Sequence, residues 1–128
     1  MIETRTAPDR TPLTALPTEL SIVEAGRIVM ARLHGALDEQ QGAGMLRRLR
    51  PLVRPSRRIV LDLRGTDFLD SGGVRALLLL QEEISAGDAD LRLILNARGG
   101  AARTLSLLKL TSQFRTFEDA SGAWYQPR

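Results

Sequence analysis

Cysteine is absent from the 128 residues, which excludes both a disulfide framework and a thiolate metal site. Histidine occurs once, as His34, too little for a histidine-based zinc or iron centre. Lysine also occurs once, at Lys109, so arginine carries nearly all of the positive charge behind a net +3. Aromatics are scarce, with one Trp, one Tyr and three Phe, which leaves little for a base-stacking platform. No apolar run approaches the roughly 18 residues of a membrane span, and the first residues do not resemble a signal peptide. A single soluble domain is expected, with a cytoplasmic location as the default.

What is present in quantity is arginine. Arg47, Arg48, Arg50, Arg54, Arg57 and Arg58 follow one another with no acid between them. Such a block on a helix and the loop after it reads more naturally as a solvated face than as a nucleic-acid footprint. Direct nucleic-acid binding is therefore kept only as a rival from another class.

Texture changes along the chain. Residues 1–18 carry Pro8, Pro12 and Pro17 without any apolar period, the pattern of a disordered tail. A domain is expected over 19–125. Extended segments Leu20 to Glu24 and Arg27 to Leu33 flank Ala25-Gly26, a hairpin signature. Helical spacing then takes over at Met45, Leu46, Leu49, Leu52 and Val53, with Asp38 placed as the N-cap and Pro51 and Pro55 closing the run. Ile59 to Leu63 is a nearly unbroken apolar strand. A second helix follows Ser71, with Val74, Leu77, Leu78 and Leu80 or Gln81 toward the core and Gly87 as its stop. "LRLILNA" is another strand, "GGAARTLSLLKL" a helix with Leu105, Leu108 and Leu110 as apolar positions, and "QFRTFED" a last short strand before one helical turn. The alternation predicts an α/β fold with a mixed, mostly parallel sheet of four to five strands after an N-terminal hairpin.

Between strand and second helix lies Asp70-Ser71-Gly72-Gly73. A nucleophilic serine would need a base, for which His34 is the one histidine, and the glycine that a nucleophile elbow places two residues before the serine is missing. Neither Gly72-Gly73 nor Gly99-Gly100 leads into the Gly-Lys-Ser/Thr of a phosphate-binding loop. A serine opening a helix at the end of a strand can instead accept a phosphate, which the helix dipole and free amides tolerate. The plain alternative, Asp70 or Ser71 as an N-cap, accounts for the serine but not for the double glycine.

"IVLDLRGTDFLDSGGVRALL" resembles the central signature of the STAS domain, as in bacterial anti-sigma-factor antagonists. "LHGALDEQQ" looks like that family's Gly-Glu-Leu-Asp segment, and the chain from Leu91 to Ala123 resembles its later strand–helix–strand run. The resemblance spans about Ser21 to Trp124 and implies the STAS fold, with helices mainly on one face of the sheet. It matches Ser71 to the phosphorylated serine, Asp70 to the aspartate before it, Asp38 to the acid of Gly-Glu-Leu-Asp, and Gly73 and Val74 to the pair opening the partner-docking helix. The sequence departs from the pattern at Gly72, where a second Ser or Thr is usual, at Ala36, and at Thr111-Ser112.

The function so implied is not enzymatic and needs no cofactor. An anti-sigma factor that is also a serine kinase would be the partner, and a phosphatase would reset Ser71. The partner surface is expected at Asp38, Asp70, Gly72, Gly73 and Val74, and along Arg75, Leu79 and Glu82. The rival within the fold is a scaffold subunit of a stress-signalling complex or a lipid transporter.

Overall fold

The computed structural model describes residues 18–127. Strands β1 (Glu19–Ala25) and β2 (Ile28–Leu37) form an antiparallel hairpin whose turn holds Gly26 at φ +63, a value that suits a residue without Cβ. Helix α1 (Glu39–Leu49) follows, then β3 (Arg58–Asp62), β4 (Thr66–Leu69), α2 (Ser71–Ala86), β5 (Asp90–Ile94), α3 (Gly100–Leu107), β6 (Arg115–Phe117) and α4 (Ala120–Tyr125). The strands order as β1-β2-β3-β5-β6, parallel from β2 onward, while β4 pairs with the far end of β2. The sheet therefore has six strands, one more than expected. Of the expected tail, Met1–Thr18, all but the last position lie outside the described residues; Thr18 Oγ1 donates to the Ala36 carbonyl at 2.7 Å.

Strand alternation sends two different chemistries to the two faces. Val29, Ala31 and Leu33 of β2, Ile59 and Leu61 of β3 and Leu91 and Leu93 of β5 face α1, α2 and α3, and with Met45, Leu49, Leu77, Leu80 and Leu105 they form the main core. Burying each such leucine contributes roughly 1.5–3 kcal/mol. Within α3, Leu105 is buried but Leu108 is half-exposed, because the helix ends at Leu107 and the chain turns away. Helix α1 likewise stops at Leu49, where Pro51 opens a short 3-10 turn over Arg50–Leu52.

The other face is smaller and more charged. Val60, Ile94 and Ala123 make an apolar centre flanked by Met30, Phe117 and Trp124. Beside them Arg92 is fully buried; its Nε donates to Asp90 at 2.9 Å, its Nη1 to the Ala123 carbonyl at 3.1 Å, and its guanidinium lies over the Phe117 ring. Burial pushes the Arg92 pKa down against the pull of Asp90. Arg58 donates to the Trp124 carbonyl. Two strand arginines thus hold α4 to the sheet through its main chain, satisfying carbonyls that the short helix leaves open.

The arginine block is dispersed by the fold. Arg50 makes a bidentate pair with Glu83 of α2 at 2.6 and 2.8 Å. Arg57 is buried and donates to Leu52, Glu24 and Gly26, and Arg48 donates to the Leu20 carbonyl. With Arg58 under α4, four of the six guanidiniums have intramolecular work. They do not form one continuous basic face.

Candidate functional site

The site is made by the pairing of β2 with β4. Their parallel register sets Leu37 beside Leu69, so the next residue on each strand, Asp38 and Asp70, stands at the same end of the sheet. Each turns its carboxylate back on the helix it precedes. Asp38 Oδ1 accepts from the Gln41 amide at 2.8 Å, and Asp70 Oδ1 accepts from the Gly73 amide at 2.9 Å. Both are N-caps, worth about 1 kcal/mol each. Two helices consequently begin side by side, with the positive ends of their dipoles at one rim.

The glycines set how close those beginnings come. A Cβ on Gly72 would stand 2.7–2.9 Å from the Cβ, Cα and N of Glu39, and one on Gly42 would stand 2.5 Å from Ala76 Cβ. A Cβ on Gly73 would stand 2.0 Å from the Leu37 carbonyl oxygen and 2.7 Å from Leu69 Cδ1. Neither Gly72 nor Gly73 has positive φ. The reason for the double glycine is internal: it lets α2 start against the end of β2 and the first turn of α1. The expectation that Gly73 and Val74 present a partner surface is therefore corrected. Gly73 is buried, Val74 is only 5% exposed and packs in the core, and the space beside Gly72 is filled by this chain.

Ser71 is the first residue of α2 and is exposed. Arg75 and Glu82 are exposed one and three turns along, and Leu79 is 40% exposed between them. Asp38 and Asp70 are half-buried, engaged in capping. Thus Asp38, Asp70, Ser71 and Gly72 converge at one rim, and Arg75, Leu79 and Glu82 run from it along one open stripe. His34 is not part of this constellation. It lies on the second face of the sheet in an open cleft with Arg32, Asp62, Arg64 and Gly65, and no group of three or more His, Cys, Asp or Glu suited to a metal occurs among the described residues.

Phe68 escaped sequence reasoning. It is 52% exposed on β4, three residues before Ser71. An aromatic outside the core, in a chain with three phenylalanines, is the signal that could have found it. Strand β4 is braced from behind by α3: Gly100 packs on the Asp67 main chain, and Thr104 Oγ1 donates to the Leu69 carbonyl at 3.2 Å.

Asp62 anchors the turn from β3 into β4. Burial opposes its ionisation, but the Arg64 side chain and amide and the nearby Arg32 outweigh burial and hold its pKa below the ordinary carboxylate range. This pair fixes the corner that aims β4, and hence Ser71, at the rim.

A strand–helix frame with two capped helices meeting at an exposed serine defines a recognisable class. The STAS domain family model matches residues 19–123, and the chain belongs to that family. The fold is similar to that of an anti-sigma factor antagonist from Mycobacterium paratuberculosis (TM-score 0.72, 16% identity, 89% of this chain and 95% of that one). It is also similar to a putative anti-sigma factor antagonist from Thermotoga maritima (TM-score 0.69, 15% identity, 81% and 90%). A third likeness is to the anti-sigma factor antagonist SpoIIAA in its unphosphorylated form (TM-score 0.61, 16% identity, 80% and 91%). No curated protein sequence matches the chain significantly. No helix among the described residues is long and apolar enough to cross a membrane.

Proposed function

We propose that this STAS domain is an anti-sigma-factor antagonist controlled by phosphorylation of Ser71. The observation that carries the reading is the exposure of Ser71 at the first position of α2, beside a stripe that is open along Arg75, Leu79 and Glu82. The protein performs no chemistry itself. An anti-sigma factor with serine kinase activity docks on the rim and stripe, transfers a phosphoryl group from ATP to the Ser71 hydroxyl, and is thereby released. A phosphatase restores binding.

The physical basis of the switch is local. A phosphoserine adds close to two negative charges. At the first turn of α2 these meet free amides and the dipoles of two helices, so the fold tolerates them. A partner that must bury the same rim has to desolvate them, which is costly. Moving binding from nearly complete to nearly absent requires about a 10⁴-fold change in affinity, roughly 5.5 kcal/mol. Dispersal of the arginine block weighs against the nucleic-acid reading.

The test is incubation with the cognate kinase and ATP, followed by peptide mass spectrometry. One phosphate on Ser71, abolished by Ser71→Ala, is the expected result. Stable modification at Ser85, Ser106 or Ser112 instead would overturn the assignment.

A further inference from the structure

Strand β1 borders the sheet, and among the described residues no strand pairs with its outer side. Which groups it turns outward follows from β2. The Arg58 amide donates to the Arg27 carbonyl, which in a parallel ladder aims the main chain of odd-numbered β2 residues at β3 and that of even-numbered ones at β1. The antiparallel register then spends Glu19, Ser21, Val23 and Ala25 on β2 and leaves the N–H and C=O of Leu20, Ile22 and Glu24 facing outward. Arg48 agrees with this geometry: its Nη1 reaches around α1 to the outward Leu20 carbonyl at 2.6 Å.

Edge strands are normally short, charged along the edge, or interrupted by proline. At the opposite border β6 has three residues. By contrast β1 has seven, ELSIVEA, with no proline or lysine, and Val23 stands 63% exposed on its second face.

We propose that β1 pairs antiparallel with β1 of a second copy about a two-fold axis through Ile22, joining two sheets into one. In this register Ile22 meets Ile22 of the second copy and Leu20 meets Glu24 of the second copy, so every outward N–H and C=O of the strand finds a partner. Any other antiparallel register leaves an outward residue without a strand partner. The same register complements charge. Arg48, seated at the Leu20 carbonyl, comes beside Glu24 of the second copy, twice by symmetry, and a carbonyl has the second lone pair needed to accept from both donors. Val23 is set against Ser21 of the second copy. Helix α1 stands between β1 and α2, so Ser71 and its stripe stay open and the proposal is independent of the phosphorylation reading.

The test uses the full chain, whose lack of cysteine gives a clean background. Sedimentation equilibrium from micromolar to near-millimolar protein should show the mass rising from 14.1 kDa toward twice that value. Arg48→Glu, an exposed position, should weaken association at least about tenfold. Ser21→Cys and Val23→Cys, both exposed, are then oxidised separately and as a mixture. Residues 21 and 23 of opposite copies form a non-hydrogen-bonded pair with Cα atoms about 4.5 Å apart, within disulfide range. The mixture should yield a cross-linked heterodimer far more readily than either variant alone. A monomer at every concentration overturns the proposal, and so does a dimer in which mixing gives no advantage.

Discussion

Placing a methyl group on Gly73 is the sharpest test of how the site is built. Its Cβ would stand 2.0 Å from the Leu37 carbonyl oxygen and 2.9 Å from the carbonyl carbon. These are main-chain atoms of β2 held by β4, so no side chain can swing aside. The start of α2 has to retreat from the sheet, loosening the packing of Val74 and Leu77 below it. Overpacking of this kind costs about 1–3 kcal/mol and more where backbone must move, whereas removing a helical glycine returns at most about 1 kcal/mol. The expected net loss for Gly73→Ala is about 2 kcal/mol or more. Gly44 supplies the control, since a Cβ there meets nothing nearer than Arg47 Nη2 at 3.8 Å. Gly44→Ala should be stabilised by up to about 1 kcal/mol. Urea denaturation monitored by circular dichroism reads both, and a thermal melt should place them on opposite sides of the parent, with Gly73→Ala roughly 10 °C lower. If Gly73→Ala matches the parent, or both variants fall equally, the argument that Gly73 exists for close internal approach is wrong.

Two further outcomes follow from the surface and from the charge network. Replacing Arg75 and Glu82 by alanine should lower partner affinity at least tenfold, about 1.4 kcal/mol, with the melting temperature within a few degrees of the parent, while Arg47→Ala leaves binding unchanged; calorimetric titration with the anti-sigma factor decides this, and greater damage from Arg47→Ala would move the docking face. Asp62, with its folded pKa lowered, contributes stability that is present above its unfolded value near 3.9 and is lost as pH falls through the folded value. Asp62→Asn should therefore be less stable at neutral pH by about 1–3 kcal/mol, with the gap closing below about pH 4. A constant gap across that range would remove the ionic explanation.

Most of the architecture was legible because apolar period and caps agreed with each other. Asp38, Asp70 and Gly87 punctuate the helices where their residue types predict, and β3 is central in the sheet as the nearly unbroken apolar run from Ile59 to Leu63 implies. Strand β4 was not legible. Its four residues, Thr66–Leu69, are buried only at the ends, so they carry neither alternation nor a continuous run; pairing with β2 alone makes them a strand. Arg92 was hidden for a related reason. Within "LRLIL" it reads as the solvated position of a half-buried strand, but α4 closes over it and supplies a carbonyl. At the site, the exposed serine and the stripe after it could be placed from helical spacing. The meaning of the double glycine could not, because the atoms it accommodates belong to residues 37 and 39, more than thirty positions earlier.

The order of strands across the sheet has a consequence for how the protein is made. From β1 through β2, β3 and β5 to β6, position in the sheet follows position in the chain, so each strand leaving the ribosome finds its neighbour already synthesised. Growth proceeds at one border only, and β4 alone doubles back, onto a strand that is already present. A nascent chain can thus lengthen its sheet without threading or waiting for distant segments, conditions that limit exposure of sticky intermediates. The growing border, first β3 and then β5, is open only until the next segment arrives. Closure comes with Arg115–Tyr125, when β6 caps that border and α4 settles over Arg92 and Arg58. Until then the second face holds a guanidinium destined for burial without its carbonyl, so α4 acts as the seal on a sheet assembled in the order of translation.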